Sequence, residues 1–132
     1  MARCAMRRRI LVAEDNALVR RKVRILLEPD QELEICAEAH NGVEAVRKAR
    51  KYQPDLVLID LFMPEMSGLV AIREIRKASP HLRVVAFTLH DSDAIRDESQ
   101  RAGADALVAK ANCGVELLPR IRELLNLGPA AA

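Results

Sequence analysis

Residues 55–68 read DLVLIDLFMPEMSG, and no other stretch of the chain restricts the fold so tightly. Leu56, Val57, Leu58 and Ile59 are consecutive apolar residues, the pattern of a strand buried on both faces of a parallel sheet. The run stops on an acid, Asp60, and Met63, Pro64 and Gly68 then force a loop before a new helix can begin. A carboxylate is thereby fixed where a buried strand opens to solvent. In a parallel α/β sheet that edge is where ligands bind. A lone acid ending a strand is weak evidence of function, so the meaning of Asp60 depends on what else reaches the same edge.

Four further strand signals alternate with five helix signals. Residues 10–13 form a short apolar run that stops at Glu14, Asp15 and Asn16, the last able to cap a helix. Val19, Val23, Leu26 and Leu27 then recur at helical spacing until Pro29, with Arg20, Arg21, Lys22 and Arg24 on the other faces. Leu33, Ile35 and Ala37 alternate with Glu34 and Glu38, as in a strand wet on one face and near a sheet edge. After Asn41 and Gly42, the residues Val43, Ala45, Val46 and Ala49 outline a second helix that Pro54 closes. Leu69, Ile72 and Ile75 mark a third helix, residues 82–88 a strand ending on Thr88, and residues 92–102 a helix with little to bury. A fifth apolar run, 104–109, ends on Lys110. The last helix is expected over 115–127, where Pro119 is tolerable only in the first turn.

This alternation predicts an α/β domain with a doubly wound parallel sheet. Right-handed crossovers put all the strand ends on one edge. Glu14, Asp15, Asp60, Thr88 and Lys110 therefore converge although they are scattered along the chain.

At 132 residues the chain is one domain, with residues 1–9 expected as a flexible basic tail, 10–127 as the domain and 128–132 as a second tail. Half of the residues are apolar, which excludes a disordered or fibrous protein. No apolar run approaches the roughly 20 residues of a membrane span. The N-terminus lacks the apolar core of a signal peptide, because Glu14 and Asp15 follow so soon, and a cytoplasmic location is expected. Cys4, Cys36 and Cys113 share no metal-like or redox spacing and read as reduced thiols. Of the 21 basic residues, Arg3, Arg7, Arg8 and Arg9 crowd the N-terminus, so the body carries slightly more acid than base. Direct nucleic-acid binding is not expected of such a domain.

Three carboxylates crowded at one edge repel one another, and a divalent cation taking oxygen ligands relieves that repulsion. Mg²⁺ fits best, held by one or two carboxylates, with Asp15 and Asp60 favoured, and leaving a position for a phosphate oxygen. Lys110 adds a point charge and Thr88 a hydroxyl, so the edge offers cation, lysine and donor to three phosphoryl oxygens. Asp60 then stands as a nucleophile able to form an aspartyl phosphate.

With these residues in these positions the chain resembles a receiver domain of the two-component response regulators. The resemblance rests on Glu14-Asp15 after strand one, Asp60 with the MPEMSG stretch, Thr88 after strand four, and AGAD at 102–105 leading to Lys110. It implies a flavodoxin-like (βα)5 fold with strand order 2-1-3-4-5. It further implies Asp60 as phosphoacceptor, Asp15 and more distantly Glu14 as Mg²⁺ holders, and the backbone carbonyl of Phe62 as a further ligand. Thr88 takes the place of the switch hydroxyl and Lys110 that of the phosphate-contacting lysine, while Phe62 and His90 match positions that tune water access to the acyl phosphate. The partners implied are a histidine kinase or phosphotransfer protein, then a downstream target or an output domain outside this chain. A homodimer formed on phosphorylation is an expectation of the same kind. Two departures stand out: Leu107 occupies the place of the usual switch aromatic, and Ala111 that of a proline often in a cis bond. Two other readings use the same residues: a phosphorylation-independent binding scaffold, and an Asp-nucleophile phosphatase of the haloacid dehalogenase kind. The latter resemble one another in a second Asp two residues after the nucleophile, where this chain has Phe62.

Overall fold

A computed structural model describes residues 6–130; Arg3, Cys4 and the rest of 1–5, with 131–132, lie outside the described residues. Five strands, β1 (Arg8–Ala13), β2 (Leu33–Ala39), β3 (Leu56–Asp60), β4 (Arg83–Thr88) and β5 (Ala106–Ala109), form one sheet in the order β2-β1-β3-β4-β5. Every neighbouring pair is parallel. Between them run α1 (Ala17–Leu27), α2 (Gly42–Tyr52), α3 (Gly68–Ala78) and α4 (Asp93–Ala102), and α5 (Cys113–Leu124) closes the chain after a single 3-10 turn, Lys110–Asn112. The fold is the one the sequence predicts.

The central place of β3 explains its composition. Val57 and Ile59 face a cluster with Ala45 and Ala49 of α2, Ala71, Ile72 and Ile75 of α3, and Ala102 of α4. Leu56 and Leu58 face the opposite cluster, with Val23 and Leu27 of α1 and Leu117 and Ile121 of α5. Each such side chain, fully withdrawn from water, contributes roughly 1.5–3 kcal/mol. β2 is an edge strand, and its ladder with β1 slips by one residue: Ile10 pairs with Ile35 but Leu11 with Ala37, leaving Cys36 unpaired in a bulge.

The helix starts follow from side chains that the sequence supplies. Asn16, Asn41, Ser67 and Ser92 each accept a hydrogen bond from a first-turn N–H, capping α1, α2, α3 and α4. α5 has no such cap because it is entered through the 3-10 turn. α4 is the least anchored helix, with only Ser99 and Ala102 buried. Its C-terminal end is stapled by Arg76 of α3, whose guanidinium donates to the Gly103 carbonyl (2.6 Å) and pairs with Asp105 (3.0 Å). Asp105 in turn accepts from the Val84 N–H at 2.8 Å, which ties the α4–β5 turn to β4.

Three expectations require correction. Arg8 and Arg9 are not part of a flexible tail: they belong to β1, Arg8 donating to the Leu125 carbonyl at 2.8 Å and the Arg9 N–H to Asp55 at 2.7 Å. Strand five begins at Ala106 rather than 104. α5 starts at Cys113, two residues early, which places Pro119 in its second turn rather than its first. The proline removes the bond to the Val115 carbonyl, and Val115 is 80% exposed, so solvent can take the bond's place.

The end of the chain is clamped by one arginine. Arg122 is 4% exposed and its guanidinium pairs with Asp30 (2.7 Å) and Glu32 (2.8 Å) while donating to the carbonyls of Leu127, Gly128 and Pro129. Arg120, two residues earlier, makes only a surface pair with Glu123. Arg122→Ala should lower the thermal midpoint clearly and Arg120→Ala hardly at all; equal midpoints in differential scanning calorimetry would remove the clamp from the account of stability.

Candidate functional site

The strand order creates the site. After β1 the chain winds to one side into β2, then crosses back to β3, so a crevice opens between the C-terminal ends of β1 and β3. Glu14 and Asp15 leave β1 there, and Asp60 is the last residue of β3. Their carboxylate oxygens lie within 4.8 Å of one another.

Each acid is held from behind. Glu14 is 1% exposed; its N–H donates to the Ala39 carbonyl at 2.9 Å, its carbonyl accepts from Arg20 at 2.7 Å, and one carboxylate oxygen accepts from the Asn16 N–H at 3.1 Å. Asp15, next to it, is exposed. Asp60 is 3% exposed, and one of its oxygens accepts from the Phe62 N–H at 3.1 Å. Gly68 makes this possible: a Cβ there would collide with the Asp60 carbonyl and come within 2.6 Å of the Leu61 Cα, so only glycine lets α3 begin beneath the strand tip.

Lys110 joins the two buried acids. Its ammonium lies 2.7 Å from Glu14 Oε1 and 3.1 Å from Asp60 Oδ2, with the Phe87 ring beneath it at 5.5 Å. Burial pushes the Glu14 carboxyl up to about 7, helped by the Asp60 charge and opposed by the hydrogen bond from Lys110. For Lys110, burial favours the neutral amine, but the bond to Glu14 and the charges of Asp60 and Glu14 outweigh it and hold the lysine above its ordinary range. Glu14 Oε1 has no hydrogen bond of good geometry beyond this ion pair. A buried, under-satisfied carboxylate oxygen beside two further acids is a donor set that suits a hard divalent cation.

The acids and Lys110 sit at one end of a cleft of about 420 Å³, also lined by Asn16, Lys22, Phe62, Leu89 and His90. Phe62 and His90 meet edge to face across it, ring centroids 5.4 Å apart. Thr88 does not line the cleft. It is fully buried and its hydroxyl accepts from the His90 N–H at 2.9 Å, which fixes the turn after β4. Leu107 is 8% exposed and packs in the cluster shared with Ala102. The Lys110–Ala111 bond is trans, like every described peptide bond. Phe87 and Lys22 escape a reading of the sequence: Phe87 looks like any strand residue before Thr88, and Lys22 like one more cation on a basic helix. The threefold spacing from Val19 to Lys22 could have placed both on the cleft side of α1.

A doubly wound sheet carrying three acids and a lysine at its switch point defines a class of domains that handle an anionic group with a cation. Comparison with known proteins narrows the class. Residues 10–122 match the family described as the response regulator receiver domain, and the chain belongs to that family. It is 32% identical over 121 residues to the chemotaxis protein CheY of Bacillus subtilis, covering 92% of this chain and 100% of that protein. It is 40% identical over 117 residues to protein-glutamate methylesterase/protein-glutamine glutaminase 2 of Carboxydothermus hydrogenoformans, covering 88% of this chain but only 32% of that protein. A two-component response regulator of the LuxR family from Aurantimonas sp. SI85-9A1 superposes with a TM-score of 0.87 at 33% identity, covering 96% of this chain and 89% of that one. The chain thus spans the whole of one relative and about a third of another. Receiver domains are signalling modules, and among the described residues no helix is long and apolar enough to cross a membrane.

The raised Glu14 carboxyl has a sign that can be checked. Its folded value, about 7, lies above the ordinary value of 4.5, so its contribution to stability is fully present below about pH 4.5 and is lost as pH rises through about 7. With chelator present, wild type should therefore lose stability relative to Glu14→Gln across that window, by at most about 1.4 kcal/mol per pH unit. Urea denaturation of both proteins from pH 4.5 to 8 measures the difference; a flat difference would mean that Glu14 is not strained.

Proposed function

We propose that the chain works as the phosphoacceptor of a two-component phosphorelay, with Asp60 taking a phosphoryl group from the phosphohistidine of a histidine kinase or phosphotransfer protein. The P–N bond to the donor imidazole breaks and a P–O bond to an Asp60 carboxylate oxygen forms; the released imidazole recovers its proton from solvent. The observation that carries this reading is the Lys110 ammonium 3.1 Å from Asp60 beside two more acids, at the mouth of an open cleft.

Asp15, Asp60 and the Phe62 carbonyl would hold Mg²⁺, with Glu14 behind them. Bound there, the ion neutralises charge on the phosphoryl oxygens during transfer. The protein's own residues do the rest. The Phe62 N–H orients the Asp60 carboxylate. Lys110, once shared with Glu14, is placed to meet a phosphoryl oxygen. Thr88 can offer its hydroxyl to the phosphoryl group only by giving up the bond from the His90 N–H, so the turn after β4 must rearrange. That turn leads into α4, which buries only Ser99 and Ala102, and the output surface is accordingly α4, β5 and α5. Leu107 takes part by packing rather than by the rotation of an aromatic ring.

This role makes the domain an assistant in its own phosphorylation and dephosphorylation rather than an enzyme acting on external esters. Phe62 supports that view, since it leaves no acid two residues after Asp60 to protonate a leaving group. The downstream partner is a separate target protein, an output domain beyond this chain or a second phosphorylated copy, and the role is one played in the cytoplasm.

Intact mass after incubation with Mg²⁺ and acetyl phosphate tests the reading. One phosphoryl group should be added, none with Asp60→Asn and none with chelator. Absence of an adduct, together with no protection by beryllofluoride, would favour a phosphate-independent scaffold. The Phe62–His90 contact should shield the acyl phosphate from water, so Phe62→Ala is expected to shorten its half-life severalfold; an unchanged half-life would deny Phe62 that part.

A further inference from the structure

A second surface of the molecule has the features of a binding site. A groove of about 480 Å³ runs beside α2, lined by Val43, Val46, Arg47, Arg50 and Lys51, with Met66 of the β3–α3 loop as its far wall. The α2 residues fall at three- and four-residue spacing, so they form one stripe. Val43 is 47% exposed. The two walls meet closely at one end, where a Cβ on Gly42 would collide with the Met66 carbonyl.

Its charges are uncompensated. Many cations of the other helices are paired, Arg20 and Arg24 with Glu38, Arg76 with Asp105, Arg96 with Asp91 and Arg101 with Asp97, and the exceptions, Arg21, Lys22 and Arg73, do not line this groove. Arg47, Arg50 and Lys51 have no ion pair among the described residues, and Lys51 has only the Tyr52 ring at 5.4 Å. The single acid of α2, Glu44, is engaged by the His40 N–H and by Lys48. Like charges at the spacings 47, 50 and 51 repel. The helix dipole favours Arg50 and Lys51 in the last turn but not Arg47 in the middle, and it explains nothing about the apolar floor. Cations around an apolar groove complement acids flanking an apolar side chain.

We propose that this groove binds an acidic segment of a partner protein, with apolar side chains set between Val43, Val46 and Met66 and carboxylates meeting Arg47, Arg50 and Lys51. The apolar floor favours a peptide over a nucleic acid, whose phosphates would use only the cations. The site lies apart from Asp60 and needs no phosphoryl group, so it stands or falls independently of the phosphorelay reading.

The probe is a fluorescein-labelled peptide that alternates glutamate pairs with single leucines, titrated into the unphosphorylated chain and into Asp60→Asn. Anisotropy should show saturable binding to both, and methyl NMR should show shifts at Val43, Val46 and Met66. Arg47→Glu with Arg50→Glu should weaken binding about tenfold while the thermal midpoint holds. Val43→Ser, and a peptide with serine in place of leucine, should each weaken it severalfold. Equal binding of the serine peptide would reduce the patch to a solvated charge field and overturn the proposal. Absence of shifts at those methyls would do the same, as would tighter binding of a DNA duplex at equal salt.

Discussion

The ion pair that Lys110 makes with two acids from different strands is the interaction on which the site depends. Two carboxylates at the ends of β1 and β3, each almost fully withdrawn from water, would drive those ends apart or take up a proton. An ammonium 2.7 Å from one and 3.1 Å from the other holds them together. The arrangement remains unfinished, because one oxygen of Glu14 still lacks a well-formed hydrogen bond and its carboxyl stays near 7. A stable protein keeps such a cluster only where something else can complete it. The strand order dictates where that happens, since only the gap between β1 and β3 receives chain ends from both directions of winding.

Around this cluster the structure has two grades of rigidity. The floor is fixed by backbone: Gly68 seats α3 against the Asp60 carbonyl, Leu61 donates its N–H to the Phe87 carbonyl at 3.1 Å, and Gly68 donates to the Leu61 carbonyl at 3.0 Å. The roof is held by single contacts, the edge-to-face pair of Phe62 and His90 and the one hydrogen bond from the His90 N–H to Thr88. A charge placed on the floor has little room to move it, and the roof has little to resist with.

Much of this was legible from residues alone, and for physical reasons. Leu56 to Ile59 leave no polar face, so β3 had to be central, and Asn16 marked the entry to α1. The convergence of Glu14, Asp15, Asp60, Thr88 and Lys110 followed from handedness of the crossovers. Side-chain direction was not legible. Thr88 ends the strand as expected, yet its hydroxyl serves the turn, because the bare N–H of His90 two residues on was the nearer partner. Nor could the pattern reveal that Lys110 would open a 3-10 turn and start α5 early at Cys113, carrying Pro119 into the helix. Arg8 and Arg9 looked like a loose basic tail because charge marks exposure in a composition count. In the fold their backbone extends the β1 ladder and their guanidinium groups find carbonyls of distant elements.

The Arg76 staple determines how α4 can move. Because the Gly103 carbonyl and Asp105 are tied to α3 and to the start of β4, the C-terminal end of the helix is the firmer one, while the end at Asp93 is held by the packing of half-buried Ile95 and by the turn that Thr88 holds. Ten residues at 1.5 Å each give a lever arm of about 15 Å. A tilt of about ten degrees then carries the free end through roughly 2.5 Å, about half a helical turn, while the hinge end stays in place. The displacement is largest where the lever starts, next to the turn after β4, and fades toward β5. Such a geometry favours a change in the angle of one rod over translation of a whole face.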